Sequence, residues 1–100
     1  MKLLTKEILD KLPKLYSQEK KGLDAIVQVK FFTPWSNWTW YATEYDGEDI
    51  FFGLVDGLEK ELGTFSLMEL ESLVGPAGLK IERDMYFEPT TLRKLMEEQD

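Results

Sequence analysis

Two alternating runs of aromatic, β-branched and small residues flank a four-residue turn in the middle of the chain, and this arrangement constrains the fold more than any other feature. Trp38, Trp40 and Ala42 fall on one face of the first run, and Thr39, Tyr41, Thr43 and Tyr45 fall on the other. Ile50-Phe51-Phe52-Gly53-Leu54-Val55 resumes after Asp46-Gly47-Glu48-Asp49. Side chains alternate between faces along a strand, and glycine supplies the positive φ that a tight turn needs, so the segment predicts a β-hairpin. Both faces of the first run carry large side chains, so both are expected to be at least partly covered.

The remaining elements follow from caps and breakers. Thr5 is placed to cap a short helix with Ile8, Leu9 and Leu12 on one side, ended by Pro13; the polar, basic stretch from Pro13 to Gly22 reads as a surface loop. Ala25 to Phe32 reads as a strand that Pro34 stops, and a further strand is expected from Leu62 to Phe65. Ser66-Leu67-Met68-Glu69 has the form of a capping box, followed by the apolar stripe Leu67, Leu70, Leu73 and Val74 and closed by Gly75-Pro76. Leu79 to Phe87 reads as a strand or an extended arm. Pro89 and Thr90 then open a C-terminal helix with Leu92, Leu95 and Met96 inward. The order predicts an α+β fold: an antiparallel sheet of four to five strands with two to three short helices packed on it, over residues 1–100 as a single domain.

Charge is distributed unevenly. The net charge is -7, but residues 1–30 carry +3, residues 31–43 carry none, and residues 44–71 carry nine acids against the single Lys60. Such a chain repels nucleic-acid phosphates unless its first third assembles a basic face, and its middle suits a basic protein partner. With no cysteine the chain has neither disulfides nor thiolate chemistry, and a reducing compartment is the expectation. No apolar run approaches a membrane span, and Met1-Lys2-Leu3-Leu4-Thr5-Lys6-Glu7 does not read as a signal peptide, which points to the cytoplasm.

The absence of histidine as well as cysteine removes the Ser-His-Asp, Cys-His and usual zinc constellations, so no catalytic residue, metal ligand or cofactor site is assigned. Glu82 and Asp84 would share one face of a strand, but a solvated edge accounts for them. Asp46-Gly47-Glu48-Asp49 lacks the spacing of an EF-hand loop and reads as a turn. Phe31 to Tyr41 holds all three tryptophans and no charge. Trp38 and Trp40 on one strand face suit a core as well as a stacking platform, whereas Trp35, in the Pro34-Trp35-Ser36-Asn37 loop, is the tryptophan expected to be exposed. Asn37 is expected to organise that loop through its side-chain amide.

The elements Lys30-Phe31-Phe32-Thr33-Pro34, Ser36-Asn37-Trp38-Thr39-Trp40-Tyr41, Glu44, Asp46-Gly47-Glu48-Asp49, Phe52-Gly53, Glu61-Leu62-Gly63, Phe65-Ser66-Leu67, Glu69-Leu70-Glu71 and Ile81-Glu82-Arg83-Asp84 through Phe87 also carry a resemblance that spans nearly the whole chain. The sequence closely resembles domain-of-unknown-function family 2958, small proteins of phages, conjugative plasmids and other mobile elements. The resemblance implies that setting and brings no catalytic or ligand residue with it. Two functions are expected from these readings. One is a non-enzymatic interaction protein that presents its acidic segment, with Asp46, Glu48 and Asp49, to a basic host or defence protein. The other is a small module in which Trp35, Asn37, Trp38 and Trp40 line a pocket for a small ligand or an unstacked base.

Overall fold

The computed structural model describes residues 2–98. Among these residues, five strands form one antiparallel sheet: β2 (Val29–Phe32), β3 (Thr39–Tyr45), β4 (Ile50–Asp56), β5 (Lys60–Ser66) and β6 (Glu82–Arg83), in the order β5-β4-β3-β2-β6. A second, two-stranded sheet pairs β1 (Ile26–Val27) with β7 (Thr90–Thr91). Among the described residues there are also three short α-helices, α1 (Lys6–Lys11), α2 (Leu67–Ser72) and α3 (Leu92–Glu97), and 3-10 helices at Glu19–Asp24 and Pro76–Gly78. The fold is α+β and antiparallel, as the element order predicts.

Each helix starts where its capping chemistry places it. The hydroxyls of Thr5, Ser66 and Thr91 accept from the backbone N–H three residues on, satisfying one of the amide donors that the first turn leaves free. The helix ends are less local. α2 stops at Ser72, before Gly75-Pro76, so Leu73 and Val74 leave the predicted stripe and lie exposed, and in α1 Leu9 is exposed while Ile8 and Leu12 pack inward.

The sheet is covered on both faces. Leu3, Leu4, α1 and α2 close the first face over Val29, Phe31, Trp40, Phe51 and Phe65; Leu92 and Leu95 of α3 close the second over Val27, Tyr41 and Leu54. Phe51 is the hub of the first core, stacked at 4.6 Å on Tyr45 and 5.2 Å on Phe65, with Phe31 tilted at 5.5 Å. Offset or tilted ring pairs at these separations add to the burial of apolar area.

Two departures from simple alternation shape this architecture. The expected strand from Ala25 to Phe32 is broken at Gln28, whose N–H donates to the Ala42 carbonyl. β1 pairs with β7 instead of continuing along β3, so Val27 serves the second core while Val29 serves the first. The β3–β4 register also shifts between Ala42 and Glu44. A bulge inserts an extra residue and reverses the parity beyond it, which moves Tyr45 onto the face of Trp40 and Ala42, opposite to the expectation from spacing.

Candidate functional site

The acidic turn is the best-organised surface feature. Gly47 has φ 89°, and the Asp46 carboxylate (Oδ1) accepts from the N–H groups of Glu48 and Asp49 at 2.8 Å and of Ile50 at 3.0 Å. Asp49 joins the turn to the start of α2: Oδ2 accepts from the Ser66 hydroxyl at 2.6 Å, Oδ1 from the Met68 N–H at 2.8 Å, and its carbonyl from the Leu67 N–H at 2.8 Å. The reason for the Asp-Gly-Glu-Asp pattern is therefore largely structural, with two of its three carboxylates satisfying backbone donors.

Glu48 and Glu71 stand exposed beside these groups. Burial, then the carboxylates of Asp46, Asp49, Glu71 and Glu48, raise the Tyr45 hydroxyl above its ordinary pKa. None of the four carboxylates forms an ion pair among the described residues; the pairs Lys11–Glu7, Lys30–Asp84 and Arg93–Asp24 lie elsewhere. The acidic segment does not form a single face, because Glu59 and Glu61 lie at the far end of the β4–β5 hairpin.

The backbone donors, those of Asp49 first, hold the Asp46 carboxyl below the usual aspartate range. A depressed folded-state pKa contributes stability above the unfolded value and loses it as pH falls toward the folded one. The stability difference between the wild type and Asp46→Asn should therefore be constant at neutral pH and shrink as pH falls through about 4, the ordinary aspartate range, in urea titrations.

The three tryptophans are separated. Trp40 is buried in the first core. Trp35, expected in solvent, is half-buried: its indole folds back onto Gly75, where an added Cβ would stand 2.4 Å from the ring, and it packs on the first core as a cover. Trp38 lies 6.0 Å from Trp40 but 39% exposed, its ring seated on Gly57. The cavity of about 310 Å³ beside Trp38 is lined otherwise by Val55, Leu58, Glu59 and Glu61, without Trp35 or Trp40. Asn37 is exposed, and its loop is held by Thr33 and Ser36: the two hydroxyls bond to each other, and Ser36 Oγ accepts from the Trp38 N–H.

Glu44, one of the residues that carry the family resemblance, is assigned no role from the sequence, and the structure gives it one. Its side chain is 2% exposed, and its two carboxylate oxygens accept from the Tyr16 N–H at 2.8 Å and the Gln18 N–H at 2.6 Å. It clamps the loop after α1 onto β3, and Tyr16 adopts φ 67°, rare for a non-glycine residue, to present its N–H. Beneath this loop lies a mainly apolar cavity of about 310 Å³, walled by Leu23, Ala25, Phe52, Leu62 and Leu92 with Thr43 and Glu44. The available signal was a lone acid inside a strand of apolar and hydroxyl residues.

Asp84 is engaged rather than poised for acid–base work: it pairs with Lys30 at 3.7 Å and accepts from the Tyr86 N–H. Among the described residues, no group of three or more acidic side chains is arranged to hold a metal ion, and no helix is long and apolar enough to cross a membrane.

Fold and surface thus define a small α+β protein built on a two-faced antiparallel sheet, with a clasped acidic turn at one end. The chain belongs to a family of proteins of unknown function, DUF2958, whose model matches residues 3–97. No curated protein and no solved structure matches it.

Proposed function

We propose that the protein is a non-enzymatic interaction protein of a bacterial mobile element, whose acidic hairpin end binds a basic surface on a host or defence protein. The observation that carries this reading is the clasped turn that fixes Asp46, Glu48 and Asp49 at one end of the β3–β4 hairpin beside the start of α2, with none of these carboxylates paired to a lysine or arginine among the described residues. A rigid turn that fixes unneutralised charge favours a partner of opposite potential, steering encounter and excluding acidic competitors. The mobile-element setting is what the family resemblance implies. The tryptophans support the aromatic-pocket reading less, because Trp40 serves the core and Trp35 and Trp38 rest on different glycines.

The test separates charge from fold. Asp46 and Asp49 hold the turn, so the reversal is made at the exposed Glu48 and Glu71. Glu48→Lys/Glu71→Lys should keep the native circular dichroism spectrum. Retention of a basic protein from nuclease-treated host lysate should fall by about tenfold or more relative to wild type, and wild-type retention should itself weaken with salt. Undiminished capture by the folded variant, or salt-insensitive capture by the wild type, would sink the reading.

A further inference from the structure

We infer that the cavity beneath the loop after α1 is a binding site for a small organic cation, an ammonium group carried on an apolar body. The hollow arises because the second face of the sheet is covered in two unequal ways. Leu92 and Leu95 of α3 close it over Val27, Tyr41 and Leu54. Further along the same face β3, β4 and β5 present Thr43, Phe52 and Leu62, and the loop from Tyr16 to Gly22 stands over them instead. That loop bends through positive φ at both ends, 67° at Tyr16 and 52° at Gly22, and leaves about 310 Å³ between itself and the sheet. The site is separate from the acidic hairpin end and does not depend on what binds there.

The walls specify the chemistry of the occupant. Most are apolar, and Leu62 among them stays 43% exposed, so an apolar body seated there covers surface that the chain's own side chains leave open. The charged residues in the lining are Glu44 and Glu19, both acids, with no lysine or arginine beside them. Glu44 is 2% exposed, yet it is held by two neutral amides and pairs with no cation among the described residues. A carboxylate offers about four acceptor positions, and the Tyr16 and Gln18 amides take one on each oxygen. A carboxylate withdrawn from water is costly without a counter-charge, and an ammonium that brings its own donors offsets that cost. An anionic ligand meets repulsion there, and a neutral one leaves Glu44 without a counter-charge. Since a cavity of about 150 Å³ takes benzene, this one suits an occupant of about ten non-hydrogen atoms.

The probe is phenethylammonium, compared with 2-phenylethanol as its neutral and 3-phenylpropionate as its anionic counterpart. In NMR titrations of the full chain, phenethylammonium should saturate, with the largest amide shifts at Tyr16, Gln18, Thr43, Phe52 and Leu62. It should bind about tenfold or more tighter than the alcohol, the yield of one charge-assisted hydrogen bond, and the carboxylate should bind weakest. Glu44→Gln should bring amine and alcohol to within about twofold of each other. Because that variant also disturbs the loop, Leu62→Lys provides the second test: it leaves the Glu44 hydrogen bonds in place, sets an ammonium in the wall and should weaken phenethylammonium by about tenfold. Glu48→Lys/Glu71→Lys should bind the probe as the wild type does, which separates the cavity from general attraction of a cation to a chain of net charge -7. No saturation by about 10 mM, equal affinity for amine and alcohol, or shifts gathered at the acidic turn would overturn the inference.

Discussion

Gly53→Ala is expected to destabilise the fold severely, while Gly63→Ala, its cross-strand neighbour, leaves the monomer as stable as before or slightly more so. The two glycines are paired in the β4–β5 ladder, yet their surroundings are opposite. A Cβ on Gly53 would lie 1.8 Å from the Tyr41 carbonyl oxygen, 2.8 Å from its carbon and 3.0 Å from the Ala42 Cα. All three are backbone atoms of β3 just before the bulge, so no rotamer change relieves the overlap. The strands must separate, and the Trp40, Phe51 and Leu54 packing depends on their spacing. A loss above about 4 kcal/mol is expected, against a total stability of about 5–15 kcal/mol for a domain of this kind. At Gly63 the added methyl meets nothing, and alanine restricts the unfolded chain, for a gain of up to about 1 kcal/mol. Urea unfolding followed by circular dichroism measures both; a cooperative Gly53→Ala transition near the wild-type midpoint would contradict the bulge geometry.

Glu44→Ala should cost about 3 kcal/mol, and Glu44→Gln roughly half of that, because charge-assisted hydrogen bonds contribute about 1.5–3 kcal/mol each and exposed donors recover part of the loss from water. Alanine removes both acceptors from the Tyr16 and Gln18 amides. Glutamine keeps one carbonyl oxygen and turns an NH₂ group toward the other amide, replacing an attraction with a donor–donor conflict. Since Tyr16 holds φ 67° while bonded to Glu44, losing the carboxylate should also release the loop locally. Hydrogen exchange should accelerate most at Tyr16 and Gln18, ahead of the β3 and β4 amides. Uniform acceleration across the sheet would mean that Glu44 supports the core as a whole instead of clamping one loop.

Much of the secondary structure was legible because its causes are local. Asp46 and Gly47 make a turn wherever they stand between alternating strands, and Ser66 with Glu69 starts a helix for the same reason. The expectation of two covered faces along β3 was equally local, since apolar and aromatic groups occur on both. The fate of the acidic turn was legible in part. Its position was clear from sequence, but not that Asp46 and Asp49 spend their carboxylates on backbone donors while those of Glu48 and Glu71 stand exposed and unbonded among the described residues.

The sequence by itself determined the hairpin, the starts of the first two helices, the antiparallel α+β class and the exclusion of histidine- and cysteine-based chemistry. These depend on residue types and on neighbours within a few positions. The third helix, expected to open at Pro89 and Thr90, starts at Leu92 because Thr90–Thr91 pair with Ile26–Val27 as a strand. Tertiary structure alone decided the break at Gln28, the bulge that turns Tyr45 inward, the clamp made by Glu44, the seating of Trp35 on Gly75 and the open edge at β5. Each of these rests on a contact, or a missing neighbour, between segments distant in the chain. Periodicity cannot foresee such a partner, because alternation records that a face is covered and carries no record of what covers it.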